Sequence, residues 1–235
     1  EVMICNNWVL RQENRPEIYF RSQLVLDLTN PEVQDFVFGV VDKLFTENPT
    51  LAYIKWDCNA PIYNAHSKFL EKKKIPQSHL YVEYTKGFEK VLQRVRAKYP
   101  LVPMMLCSGG GGRSDYNSLK YFTEFWLSDN TDPLERIFMQ WDYSYYYPAI
   151  AMSSHVTDWS NRSLKYRTDV ASMGKLGFDI RADELSNRDM EFCKNALANY
   201  DKYKHIIWHG EMYRLASPYE NDFASFMFTS SDKTK

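Results

Sequence analysis

A chain of 235 residues that is 44% hydrophobic, 25% charged and of net charge −1 has material for one sizeable core. It lacks the basic excess that marks nucleic-acid or membrane-surface partners, and no apolar run reaches the roughly 18 residues of a membrane span. Cys5, Cys58, Cys107 and Cys193 form no CxxC pair, so reduced thiols are expected rather than a zinc site or a disulfide framework. Glu1 to Cys5 lacks the charged and apolar regions of a signal peptide, and a cytoplasmic or periplasmic setting both fit. The aromatic content of 16% serves packing first, and sugar platforms second.

In chain order, Gln23 to Asp27 reads as a short extended run. Asn30-Pro31 forms an N-cap and N1 pair for a helix whose apolar spacing runs from Val33 to Phe45. Leu51 to Asp57 is the next strand and ends in a carboxylate. Lys68 to Lys74 is a basic patch, read as a solvated loop or helix end. A long helix spans Ser78 to Ala97, stopped by Tyr99-Pro100. Val102 to Cys107 is a strand running into four glycines, and Phe122 to Leu127 is another, tipped by Ser128-Asp129. Pro133 opens a helix with Asp132 as its N-cap. Ala149 to Val156 and Leu176 to Ile180 are further strands, and a helix from Ser186 to Tyr203 follows. Beyond Met212 the pattern changes: Ser217-Pro218 is turn-like and Phe223 to Phe228 is strand-like.

Strands alternating with helices indicate a parallel sheet, with Asp57, Cys107-Ser108 and Asp129 at strand C-termini. A β/α barrel keeps its active site there, and an open doubly wound sheet also binds ligands there, so placement alone does not separate the two. About five βα units are recognisable, against eight in a complete barrel. The expectation is an α/β fold, a (β/α)8 TIM barrel incomplete on its N-terminal side. Residues 1–210 would be part of that barrel, and residues 211–235 a linker and the first strands of a C-terminal β-sandwich domain.

Two carboxylates facing one sugar bond are what a glycosidase needs, about 5–5.5 Å apart when the enzyme retains configuration. Taken alone, a strand-end aspartate serves as often as an N-cap or a salt-bridge partner. Lys55 lies two positions before Asp57 on the same strand face, where a cation would hold the carboxylate ionised, whereas Trp56 points the other way into packing. Asn59, just past the strand, can donate to a sugar hydroxyl. Gly109 to Gly112 match neither the phosphate-loop nor the dinucleotide pattern, since Arg113-Ser114 follows, but glycines at a strand tip let a ligand approach the backbone. Asp129 is expected to be partly buried beside Phe125 and Trp126, as an acid/base group that starts its cycle protonated requires. His205 and His209 do not form HExxH, because Ile206 stands in place of Glu, and no metal site is assigned.

Several segments together resemble one family. Tyr53-Ile54-Lys55-Trp56-Asp57-Cys58-Asn59 is similar to the nucleophile strand of the α-galactosidases of glycoside hydrolase family 36. Cys107 to Arg113 resembles that family's CSGGGGR segment, and Trp126 to Asp132 resembles its acid/base segment. Arg21 to Asp27, Ser154-His155-Val156 and Gly174 to Phe178 resemble further stretches in the expected order. The resemblance implies a retaining double displacement on α-linked galactosides of the raffinose type, with neither metal nor organic cofactor. Asp57 would be the nucleophile and Asp129 the acid/base. Arg21, Lys55, Asn59, Cys107 and Gly110 would lie in the galactose subsite, and Trp126 receives no assigned contact. The parent enzyme would be a homo-oligomer.

Cys58 and Ala60 stand where the family often has Met and Arg, which bears on packing and on linkage preference respectively. The family's early strands are not recognisable here, so the 235-residue polypeptide alone is expected to be inactive. Other readings are a galactosyltransferase or an α-N-acetylgalactosaminidase of the same family, or a non-catalytic galactoside-binding barrel. Retention of both carboxylates and Lys55 speaks against the last.

Overall fold

A computed structural model describes residues 7–235. Glu1 to Cys5, with the Cys5 thiol, lies outside the described residues; Cys58, Cys107 and Cys193 are free thiols. The chain divides into two compact units, Glu1–Ile54 with Cys58–Pro103, and Lys55–Asp57 with Met104–Lys235.

The first unit is built on three helices: α1 (Pro31–Glu47), α2 (Lys68–Lys72) and α3 (Leu80–Lys98). The Asn30 side chain caps α1 by accepting from Glu32 N–H, with Pro31 at the first helical position, as the sequence pattern requires. Val33, Val41 and Phe45 of α1 and Val91, Leu92 and Val95 of α3 are buried, and these two helices pack on each other. The basic patch is the short helix α2, because Leu70 at its centre is buried and Ser67 caps it. Gln23 to Asp27 is an extended run beside Trp8 to Leu10, with Leu10 N–H donating to Val25 O at 2.8 Å and Asp27 N–H to Trp8 O at 2.7 Å, without forming a continuous strand. Arg21 and Ser22 both adopt left-handed backbone (φ 52° and 57°), leaving isolated bridges such as Val9 with Leu26. Asp27 is fully buried and works structurally: it accepts from Thr29 N–H (3.0 Å), Thr29 Oγ1 (2.6 Å) and Ser67 Oγ (2.5 Å).

A five-stranded sheet follows the order β1 (Ile54–Asp57), β2 (Met104–Cys107), β3 (Glu124–Trp126), β4 (Met152–Thr157) and β5 (Lys175–Asp179). Strands β2 to β5 pair in parallel, with helices α4 (Pro133–Tyr143) between β3 and β4, α5 (Leu164–Ala171) between β4 and β5, and α6 (Asn187–His209) after β5. Helix α5 escapes the periodicity reading because it is short and weakly amphipathic. Helix α6 runs past Tyr203 to His209, where Gly210 ends it. Ala149–Ala151 is a 3₁₀ turn, so the strand there starts only at Met152.

Registers Met105–Glu124, Trp126–Ser153 and Ser153–Lys175 sort the side chains onto two faces. One face is apolar: Leu127, Met152 and Leu176 cluster with Tyr200, Ile207 and Trp208 of α6. The other is polar: it carries Lys55 and Asp57, Cys107, Glu124 and Trp126, His155 and Thr157, and Lys175 and Asp179 in successive strands. Deep on this face the buried Glu124 carboxylate is ion-paired with Lys175. The chain then forms an antiparallel hairpin of β6 (Glu211–Ala216) and β7 (Ser225–Thr229). Strand β7 matches the sequence reading, whereas β6 falls where a linker was expected. The hairpin packs on α4, with Phe226 against Trp141 at 5.1 Å between ring centroids and the Arg214 guanidinium donating to Ser144 O at 2.9 Å.

Candidate active site

Strand alternation sets the first half of the site. Lys55 and Asp57 are exposed on β1, while Ile54 and Trp56 are half-buried on its other side, and Trp56 meets Phe122 edge-on at 6.4 Å. The neighbouring β2 ends at Cys107, which is 1% exposed. Its thiol lies within hydrogen-bonding reach of the Asp57 carboxylate and of Gly110 N–H. Burial, followed by the Asp57 carboxylate, pushes the thiol above its ordinary pKa, so at neutral pH it is a protonated group that can donate to Asp57.

The glycine turn carries the site across to the next strand. Gly110 has φ 88°, and a Cβ there would sit 2.6 Å from Ser128 Cα and 3.2 Å from Asp129 N. Gly111 N–H donates to Leu127 O at 3.0 Å. Glycine at 110 is therefore demanded by the approach of the acid-bearing loop, a reason additional to the ligand access expected from sequence. Asp57 and Asp129 consequently border one turn, Asp57 through Cys107 and Asp129 through Gly110.

Asp129 itself is exposed rather than partly buried, because the chain has turned out of β3 by Ser128. Its apolar neighbour is nevertheless at hand, since Trp126 Nε1–H donates to Asp129 Oδ1 at 3.2 Å. Trp126, left without a contact by the sequence reading, proves to be a hub: it is 4% exposed and Lys55 Nζ lies 4.6 Å from its ring centroid. The Arg136 guanidinium lies at 4.8 Å from the same ring and His155 meets it edge-on at 4.7 Å. Arg136, from α4, clamps both sides of the acid: Nε donates to Asn130 O at 2.8 Å and Nη2 to Ser128 O at 2.6 Å. Asp132 caps α4 by accepting from Leu134 N–H at 2.9 Å, the structural role its position before Pro133 indicates.

A cleft of about 550 Å³ opens beside these groups. Lys55, Trp126 and Asp129 form one wall, and the ends of β4 and β5 with the loops after them supply Thr157, Asp158, Trp159, Asp179 and Arg181. These later residues were missed because nothing in the local sequence marks them; the β4–β5 register aligning Thr157 with Asp179 brings them together. Trp159 is 60% exposed, an unusual cost for so large a ring unless something covers it. Two of the expected subsite residues, Arg21 and Asn59, belong to the first unit. Arg21 is exposed, its guanidinium 5.7 Å from the Phe20 ring centroid, and Asn59 is half-buried. Among the described residues, Glu13, His66 and Glu71 of the first unit could present three ligand atoms to a cation. Exposed Glu13 and Glu71 lie 3.3 and 3.4 Å from Nε2 of the buried His66, side-chain contacts that account for that grouping. His205 and His209 are exposed on α6.

Residues 3–210 match the family model Melibiase. The chain is 32% identical to the α-galactosidase AgaA of Geobacillus stearothermophilus over 235 residues, covering 97% of this chain and 32% of that protein. It is 33% identical to α-galactosidase 2 of Hypocrea jecorina, covering 96% of this chain and 30% of that one. The crystal structure of AgaA, a GH36 α-galactosidase, superposes with a TM-score of 0.90 over 96% of this chain and 32% of its own. Variants of AgaA have been solved in complex with raffinose and with stachyose, at the same TM-score of 0.90. The chain thus spans about a third of the length of the curated relatives it matches.

Proposed function

This chain belongs to the melibiase family, and we propose that it carries the reacting carboxylates of a retaining α-galactosidase. In this reading the five βα units are part of a (β/α)8 barrel, with residues 211–235 leading into a C-terminal β domain. The observation that carries the proposal is the shared glycine turn. It has Asp57 on one side through Cys107, and Asp129 on the other through Gly110.

In the first half-reaction Asp57 attacks the anomeric carbon while Asp129 protonates the departing glycosidic oxygen. In the second, Asp129 takes a proton from water, which displaces Asp57 and restores the α configuration. Lys55 supplies positive charge beside Asp57, whose negative charge is consumed as it bonds the oxocarbenium-like anomeric carbon and returns when water displaces it. The Cys107 thiol donates to Asp57 and fixes the rotamer from which it attacks. Trp126, with Lys55 and Arg136 over its ring, aims its N–H at Asp129 and orients the acid. Arg21 and Asn59 complete the galactose subsite by family resemblance, and no metal or organic cofactor takes part.

Terminal α-linked galactosides of the raffinose type are the proposed substrates, as in the AgaA complexes with raffinose and stachyose. The leaving sugar departs on the Asp129 side, so Trp159, in the same cleft, is placed to stack on it. Hydrolysis is preferred over galactosyl transfer and over N-acetylgalactosamine removal, the latter because Gly110 to Gly112 abut protein atoms rather than an enlarged wall. The test is a proton NMR time course on the natural protein carrying this chain, supplied with raffinose. First-formed α-galactose supports the proposal. First-formed β-galactose, or transfer to the sugar acceptor in place of hydrolysis, overturns it.

A further inference from the structure

Helix α4 departs from the apolar stripe with which a helix usually meets a sheet. Arg136, Gln140 and Tyr143 stand at i, i+4 and i+7, on one side of the helix. Arg136 and Gln140 are 3% and 2% exposed. Gln140 Nε2 donates to Val170 O at 3.0 Å, and its Oε1 accepts from Ser154 Oγ at 2.9 Å, which pins α4 to α5 and β4. Tyr143 OH donates to Ser114 Oγ at 3.2 Å and lies against the glycine turn, where a Cβ on Gly111 would collide with it. Arg136 holds the segment across that turn. Its Nε and Nη2 donate to the carbonyls of Asn130 and Ser128, the residues on either side of Asp129.

A guanidinium is a costly group to bury. Desolvation lowers the Arg136 pKa to about 10, with Tyr143 and Asp129 opposing. An apolar side chain would fill such a place at lower cost. What a guanidinium adds is several N–H groups in one rigid fork, and here the fork spans two carbonyls that are two residues apart. Among the described residues Arg136 forms no ion pair with the Asp129 carboxyl. A cation bonded there would hold the carboxyl ionised and unfit to give a proton. A grip on the backbone fixes where the acid stands and leaves its carboxyl able to gain and lose a proton. Trp126 Nε1–H donates to Oδ1, so Oδ2 is left for that exchange.

We propose that Arg136 is a positioning residue for proton transfer. Acting through the backbone of Ser128 and Asn130, it holds Asp129 at the place from which the acid protonates the leaving oxygen. The inference rests on Asp129 being the acid/base group.

The test uses the natural protein carrying this chain and aryl α-galactosides of similar shape but graded leaving-group acidity. Arg136→Lys keeps the charge and loses the fork. Its kcat/KM per folded molecule should fall about 30-fold for 4-methoxyphenol, a leaving group that needs a proton. For 2,4-dinitrophenol, which departs without one, it should stay within about threefold of the unaltered protein. The same loss across the series marks Arg136 as structural and overturns the inference, as does an unchanged rate throughout. Should Arg136→Lys fail to fold, Arg136→Gln, which can still donate to one carbonyl, is read in the same way. Failure of both to fold assigns Arg136 to stability and overturns the inference. No turnover of any member by the unaltered protein would overturn the α-galactosidase reading itself, a result distinct from a uniform loss in the variant.

Discussion

The two faces of the five-stranded sheet share the same strands and the same backbone, yet they do opposite work. On one, Phe125, Met152 and Val156 are at most 2% exposed and pack toward the helices. On the other, Lys55, Trp126, Thr157 and Asp179 gather charge and hydrogen-bonding groups around a cleft. The difference teaches that burial and function separate by residue parity. A one-residue shift in register would exchange the faces, so the sheet fixes the chemistry as firmly as it fixes the core.

The largest expected effect breaks the apolar face. Phe125→Ala removes a fully buried ring that meets Tyr147 edge-on at 5.1 Å. Equilibrium denaturation should show a loss of about 3–5 kcal/mol, while turnover per folded molecule stays near normal. A stability loss under about 1 kcal/mol would mean that this face is not the core.

A smaller effect sharpens the functional face. Trp159→Ala should lower kcat/KM for raffinose about tenfold while leaving α-galactosyl fluoride, which has no leaving sugar, within roughly twofold. Equal losses on both substrates would assign Trp159 a structural role instead.

The smallest effect concerns pH. Burial lowers the His155 pKa from its usual 6.5, with Arg136 and Lys55 acting in the same direction and Asp179 and Glu124 opposing. The fold therefore favours neutral imidazole. Its contribution to stability is complete above the unfolded pKa and is lost as pH falls through the lower folded value. An NMR titration of His155 should give a midpoint below 6.5, and a midpoint above it would contradict this reading of the polar face.

The elements that carried strong local signals were legible in the sequence. Asn30-Pro31 and Asp132-Pro133 announce helix starts, and the parity of Lys55, Trp56 and Asp57 predicts which side chains share a face. Buried parallel strands also read clearly as short apolar runs, Met104 to Cys107 above all. What was illegible depends on tertiary meeting. Nothing near Trp126 foretells that Lys55 and Arg136 will both lie over its ring, since those partners come from β1 and α4. The turn before Gln23 was hidden, because two adjacent non-glycine residues, Arg21 and Ser22, take left-handed backbone there, which propensity alone disfavours. The exposure of Asp129 was likewise hidden, for strand length sets it, and β3 ends at Trp126, three residues before the acid.

The central claim is that Asp57 and Asp129 attack and protonate one glycosidic bond from opposite sides. Azide trapping with an activated α-galactoside tests it directly, in the natural protein carrying this chain. Asp57→Gly should be nearly inactive and yield β-galactosyl azide, because azide then enters from the vacated nucleophile side. Asp129→Gly should form the covalent intermediate and release α-galactosyl azide. The same anomer from both variants, or undiminished hydrolysis by either, would contradict the assignment.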